Sequence, residues 1–207
     1  MTEKNKRKSP VILIIIAAAA VWIGIAVTVV LLVRNTGKIE VYEDLTRYEE
    51  VMSFQQKKAD SKWYKWGMDE SIWPRRITDP GKVSEFRMVY YDPWDAQYLG
   101  FLVIDYPAAE YSAEIQRLKA YPSAEYTGYY SVREETTFEL AAVYADPYYG
   151  FVYALTDGQS RIIYAEQIFC NYFMDLDYGR YIPQEYLLDG FDASPDNPYR
   201  QKMMKQR

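Results

Sequence analysis

The stretch from Val11 to Val33 runs twenty-three residues without a charge, opened by Pro10 and closed by Arg34. At about 1.5 Å per residue a helix of that length reaches about 35 Å, enough to cross a hydrocarbon core of roughly 30 Å with some tilt. A segment in lipid must be helical, because the bilayer offers no partner to an unpaired backbone amide or carbonyl. The sequence therefore predicts a signal anchor: a single transmembrane helix over residues 11–33, in contact with the lipid bilayer. A cleaved leader fits less well. Its apolar core is usually 7–15 residues long, and Val33-Arg34-Asn35-Thr36 lacks a small-x-small exit.

Orientation follows from the flanking charges. Lys4, Lys6, Arg7 and Lys8 against Glu3 give residues 1–10 a charge of +3. The other 20 basic and 28 acidic residues give −8 beyond the span, which accounts for the total of −5. The positive-inside rule then places residues 1–10 as a basic cytoplasmic tail and the remainder outside the cell membrane. An acidic extracytoplasmic part is a poor holder of nucleic acid.

The chain has no His and a single Cys, Cys170. Ser-His-Asp and Cys-His catalysis, imidazole-ligated zinc and intramolecular disulfides are excluded on composition alone. Cys170 stands in the apolar run Ile168-Phe169-Cys170 and reads as a small buried hydrophobe. No phosphate loop, dinucleotide fingerprint or Cys-pair metal site is present, so no cofactor and no metal ligand is assigned. Asp175-x-Asp177-x-Gly179 opens like a calcium loop, but position twelve is Tyr186 in place of Glu.

Past the anchor, Val41, Leu45, Tyr48, Val51 and Met52 recur at helical spacing, with Glu43 and Arg47 as an i,i+4 pair. They predict a juxtamembrane amphipathic helix within residues 34–60. Residues 61–82 look irregular, with Trp63, Trp66 and Trp73 anchoring a long loop among Lys62, Lys65, Arg75 and Arg76. From Phe86 the apolar period changes to two. Residues 86–91 and 99–105 read as a hairpin, 108–121 as a helix ended by Pro122, and 125–132, 138–145, 149–156 and 161–169 as further strands. The expected fold class is α+β: one domain over residues 61–191, with an antiparallel sheet of five or six strands covered by two helices. Residues 192–207 read as a flexible tail.

Val89-Tyr90-Tyr91-Asp92-Pro93-Trp94 is echoed by Val143-Tyr144-Ala145-Asp146-Pro147-Tyr148, and each is followed by Gly-Phe. A strand that runs into Asp-Pro stops, because proline fixes φ and lacks the amide a ladder needs. Two hairpins built alike explain the echo better than a duplicated domain. Their tips gather Asp92, Trp94 and Asp95 at one end and Asp146, Tyr148 and Tyr149 at the other, giving candidate ligand-binding residues. The 22 Tyr suit recognition surfaces as well as half-buried strands. The role expected is a non-enzymatic binding or assembly module at the cell surface, with an envelope glycan or a membrane protein as partner. A glycan hydrolase using Asp92, Asp95 or Asp146 is the alternative, and an accessory subunit of a membrane complex is another.

Overall fold

A computed structural model describes residues 10–35, 37–52, 54, 61–123, 138–146, 148–170, 174–188, 201 and 205. Two compact units emerge, residues 1–38 and 39–207. The first holds helix α1 (Pro10–Asn35), 26 residues long. Its described side chains span residues 14–30 and all are exposed. Among the described residues, no helix is long and apolar enough to cross a membrane.

The second unit is α+β. Strands β1 (Glu40–Tyr42), β2 (Val83–Tyr91), β3 (Gln97–Asp105), β4 (Glu139–Asp146), β5 (Gly150–Thr156) and β6 (Arg161–Ile168) form one antiparallel sheet in the order β1-β2-β3-β6-β5-β4. Helices α2 (Tyr48–Val51) and α3 (Ala108–Lys119) complete it. The sheet consists of two three-stranded meanders joined where β3 pairs with β6, from Tyr98 opposite Ile168 to Asp105 opposite Arg161. The Asp-Pro echo joins the second and third strands of one meander but the first and second of the other. The two tips differ, since Gly100 lies inside β3 opposite Met88 whereas Gly150 opens β5 opposite Asp146, and the two meanders do not repeat each other.

Strands β3, β5 and β6 are buried almost end to end, because both faces of the sheet are covered. Side chains alternate between two cores. One face carries Leu99, Phe101, Val103, Tyr153 and Ile163, packed against Leu176, Ile182, Tyr186 and Leu188. The other carries Met88, Leu102, Val152 and Tyr164, packed against Tyr48, Met52, Trp63, Ile72, Trp73 and Leu118. Residues 174–188, expected as loop, are irregular and yet form a cover. The Gln97 side-chain oxygen accepts from the amides of Asp175 (3.0 Å) and Leu176 (3.1 Å), and the Tyr153 hydroxyl donates to the Tyr186 carbonyl (2.7 Å).

The amphipathic helix expected within residues 34–60 is replaced, where described, by β1, a 3-10 turn at Leu45–Arg47 and the single turn of α2. Val41 and Tyr42 find ladder partners in Val89 and Met88, so their backbone is satisfied as strand. Asp44 then caps the turn by accepting from the Thr46 amide at 2.9 Å. The expected Glu43–Arg47 pair does not form: Glu43 meets Arg87 at 2.7 Å and Arg47 meets Glu50 at 2.5 Å. The cover of two helices is likewise corrected. Helix α3 lies on one face as expected, but most of the rest of that cover is the irregular tryptophan segment. The strand expected over 125–132 lies outside the described residues, as does nearly all of 192–207.

Gly150 turns the second hairpin into β5 with φ +115°, and a Cβ there would sit 2.1 Å from the Gln167 carbonyl oxygen. Gly158 has φ +74° with open space around it. Gly150→Ala should therefore destabilise the domain by about 3 kcal/mol or more, against about 1 kcal/mol for Gly158→Ala. Urea denaturation of the two variants of the full-length chain in detergent checks the contrast.

Candidate functional site

Register places both hairpin tips on one edge of the sheet, since Tyr98 and Gly150 are both opposite Ile168. Above that edge, Lys65, Trp66 and Gly67 form a tight turn with φ of 49°, 57° and 74°. Only glycine adopts this left-handed region without cost. For Lys65 and Trp66 it costs about 1–2 kcal/mol each. What holds the turn is visible in its side chains.

Trp66 ties the two tips together. Its indole N–H donates to the Ala96 carbonyl of the first tip at 2.8 Å. Its ring stacks on Tyr149 of the second, with centroids 5.7 Å apart and planes 12° from parallel. Lys65 points the other way, into the core. Its ammonium donates to the Glu70 carboxylate and lies 2.7 Å from Glu166 Oε1, with Met52 Sδ at 3.7 Å. All three charged side chains are essentially out of contact with water. Glu166 makes this ion contact, but neither of its oxygens meets hydrogen-bond geometry.

Burial pushes the Glu166 carboxyl up to about 8, against the pull of Lys65 and with the help of Glu70. Burial also disfavours the Lys65 ammonium, yet the charges of Glu166 and Glu70 outweigh it and leave its pKa above the ordinary lysine value. Glu70, together with Tyr64, Met68, Asp69 and Arg75, lines a cavity of about 650 Å³ on the outer side of the segment.

A second, smaller cleft of about 270 Å³ opens at the first tip. Tyr64, Trp66, Tyr90, Trp94 and Tyr98 line it, with Lys62 and Asp92 as its charged members. Trp94 is 87% exposed, whereas Tyr98 is buried and donates to the Lys62 carbonyl at 2.8 Å. Lys62 Nζ sits 4.3 Å over the Tyr90 ring and 2.8 Å from Glu40. The Tyr90 hydroxyl donates to Asp92 at 3.0 Å; burial, then this bond, raises its pKa. The cleft thus offers aromatic faces between an ammonium and a carboxylate.

Of the residues singled out in the sequence, Asp92 and Trp94 meet in this cleft. Asp95 lies half-buried in the same tip and is not among the lining residues. Asp146 accepts from the amides of Tyr148 (2.8 Å) and Tyr149 (2.9 Å), a carboxylate engaged by its own turn. Tyr148 packs edge-on against Tyr149 at 4.8 Å, and Tyr149 reaches the site through Trp66. Asp175, from the calcium-like run, receives a hydrogen bond from Gln97 at 3.1 Å. Among the described residues no group of three or more carboxylates and thiols is placed to hold a metal ion.

Lys62, Lys65, Trp66, Glu70 and Glu166 were not candidates in the sequence. Glu166 had one signal: it falls between Tyr164 and Ile168 on an otherwise apolar face of its strand. Comparison with known proteins finds no matching family, no matching curated protein and no matching solved structure.

Removing one partner of a buried ionic group leaves charge without compensation, whereas replacing the whole group is often neutral. Lys65→Met should cost about 3–5 kcal/mol at pH 7, and the triple change Lys65→Met, Glu70→Gln, Glu166→Gln should recover most of it, as urea midpoints will show. The pH dependence has a definite sign. The folded chain keeps a proton on Glu166 up to about 8 that the unfolded chain releases near its ordinary 4.5. Stability should fall as pH rises from 4.5 to 8 and then level, and Glu166→Gln should remove that slope from denaturation curves.

Proposed function

We propose that this chain is a non-enzymatic recognition module, anchored in the cell membrane by α1 and displaying the aromatic cleft of its second unit outside the cell. The exposed Trp94 ring over the cleft carries the reading. A large indole left in water, at the rim of a groove with other ring faces, is characteristic of surfaces built to bind. The ligand class that fits is a glycan of the envelope. Ring faces of Trp94, Trp66 and Tyr64 can stack on the apolar face of a sugar, while Asp92 and Lys62 offer an acceptor and a donor to its hydroxyls. The cleft is smaller than the roughly 300–1,000 Å³ of enclosed ligand pockets, which suits one ring of a polymer lying across the tip.

The anchor rests on α1. Ile14, Ile15, Ile16, Val21, Trp22 and Ile23 are each about 60–70% exposed, and they point to every side of the helix. An all-round apolar helix would be a liability in water and is at home in lipid. The basic residues among 1–10 support a cytoplasmic amino end. A hydrolase built on Asp92, Asp95 and Asp146 draws no support, because the turn amides already occupy Asp146 and neither it nor Asp95 lines the cleft beside Asp92.

Two measurements test the reading. Full-length protein in detergent, passed over immobilised envelope polysaccharide, should be retained, and Trp94→Ala should weaken retention at least tenfold while its urea midpoint stays within about 0.5 kcal/mol of the parent. Retention equal in both proteins, or none in either, refutes the cleft as a glycan site. In intact cells, external protease should reach residues beyond 38, and the chain should leave membranes only with detergent.

A further inference from the structure

The cleft at the first hairpin tip sets ring faces beside a carboxylate, a pairing that selects for charge as well as shape. An aromatic face is the negative part of a quadrupole and attracts a cation laid over it. The fold already uses this attraction once. Lys62 Nζ lies 4.3 Å over the Tyr90 ring, with the Tyr42 and Trp63 centroids at 5.2 Å and 5.4 Å. Tyr64, Trp66 and Trp94 line the same cleft, and among the described residues no Lys or Arg lies over their rings.

Charge along this edge is one-sided. Residues 92–96 bring Asp92 and Asp95, residues 146–149 bring Asp146, and neither tip contains a Lys or Arg. Asp175 joins them through its bond from Gln97 at the start of β3. Among the described residues Lys62 is the one cation lining the cleft, and it donates to Glu40 at 2.8 Å and to the Tyr42 hydroxyl at 2.7 Å. Asp92 enters no ion pair among the described residues. The Tyr90 hydroxyl, donating at 3.0 Å, orients its carboxylate and leaves further acceptor positions open.

We infer that the cleft recognises a sugar carrying a free, protonated amino group, with the ammonium at Asp92 and against the ring faces of Trp94 and Tyr64. This rests on the reading of the cleft as a glycan site and narrows it to one class of glycan. A primary ammonium brings N–H donors, which a carboxylate bonds at charge-assisted strength, and a positive charge for the rings. An acetylated amine has lost that charge. The carboxylates of both tips draw such a cation toward the edge over a longer range.

Calorimetric titration of the full-length chain in detergent tests the inference, using a glucosamine tetramer and its fully N-acetylated counterpart. The amino tetramer should bind at least tenfold more tightly, and a tenfold rise in salt should weaken it while sparing the acetylated one. Asp92→Asn should bring the ratio below about threefold, and Trp94→Ala should abolish binding of both. General attraction of a polycation to an acidic chain predicts instead that both variants bind the amino tetramer as the parent does, which overturns the inference. Should Asp92→Asn not fold, binding retained in Trp94→Ala overturns it alone. Lysine amide, an ammonium without a sugar ring, should bind at least tenfold more weakly than the amino tetramer; equal affinity turns the assignment from sugars to peptides. Equal affinity for the two tetramers refutes the amino-sugar assignment and leaves the cleft as a glycan site. Binding of neither also refutes it, and retention on envelope polysaccharide then decides the broader reading separately.

Discussion

A lysine ammonium held between two buried carboxylates ties the irregular segment to the central strand β6 on one face of this sheet. Such a contact is a weak source of net stability, since taking the charges out of water costs about as much as their attraction returns. Its value is positional. An irregular segment has no helix dipole, ladder or heptad to set its register, and apolar packing by Trp63, Ile72 and Trp73 would tolerate sliding. Charges that are ruinous when unpaired tolerate only one seating. The left-handed backbone at Lys65 and Trp66 is held by that seating together with the Trp66 bond to Ala96 and its stack on Tyr149.

Tyrosine resolves a second difficulty of irregular covers. Loop carbonyls laid on an apolar sheet face have lost water and have no helical partner. Here hydroxyls reach them: Tyr48 bonds the Pro74 carbonyl, Tyr98 that of Lys62, and Tyr153 that of Tyr186. The Trp73 indole N–H works in the opposite direction, from the segment to the Ala165 carbonyl of β6 at 3.4 Å. Ring area supplies the apolar contact and the tip supplies the hydrogen bond. The abundance of tyrosine thus has an architectural cause in these residues, separate from the recognition role proposed for the hairpin tips.

Regular elements were legible where periodicity and punctuation agreed. Strands β2 to β6 announce themselves by aromatic and β-branched runs, three of them closed with Asp-Pro or Asp-Gly, and α3 by its apolar stripe between Pro107 and Pro122. Residues 40–51 misled because Val41, Leu45, Tyr48 and Met52 match a helical period, while the ladder opposite Val89 decides otherwise, and a ladder is a long-range fact. The same limit applied to the site. Asp92 and Trp94 are neighbours in sequence and could be found; Lys65 and Glu166 meet across a hundred residues of chain and could not. No pattern marks a non-glycine residue for positive φ. The cover formed by residues 174–188 was hidden because its apolar residues follow no period at all.

The joint between the two meanders carries a cost in time. Asp105 and Arg161, paired across that joint at 2.8 Å, lie 56 positions apart, so β3 must wait with a bare hydrogen-bonding edge until β6 has been made and delivered. Both strands flanking the gap are buried almost end to end in the folded domain, so until they meet they expose apolar side chains that can zip onto a stranger. The longer β6 takes to arrive, the longer that edge stands open, so the speed of forming this one joint becomes a determinant of yield.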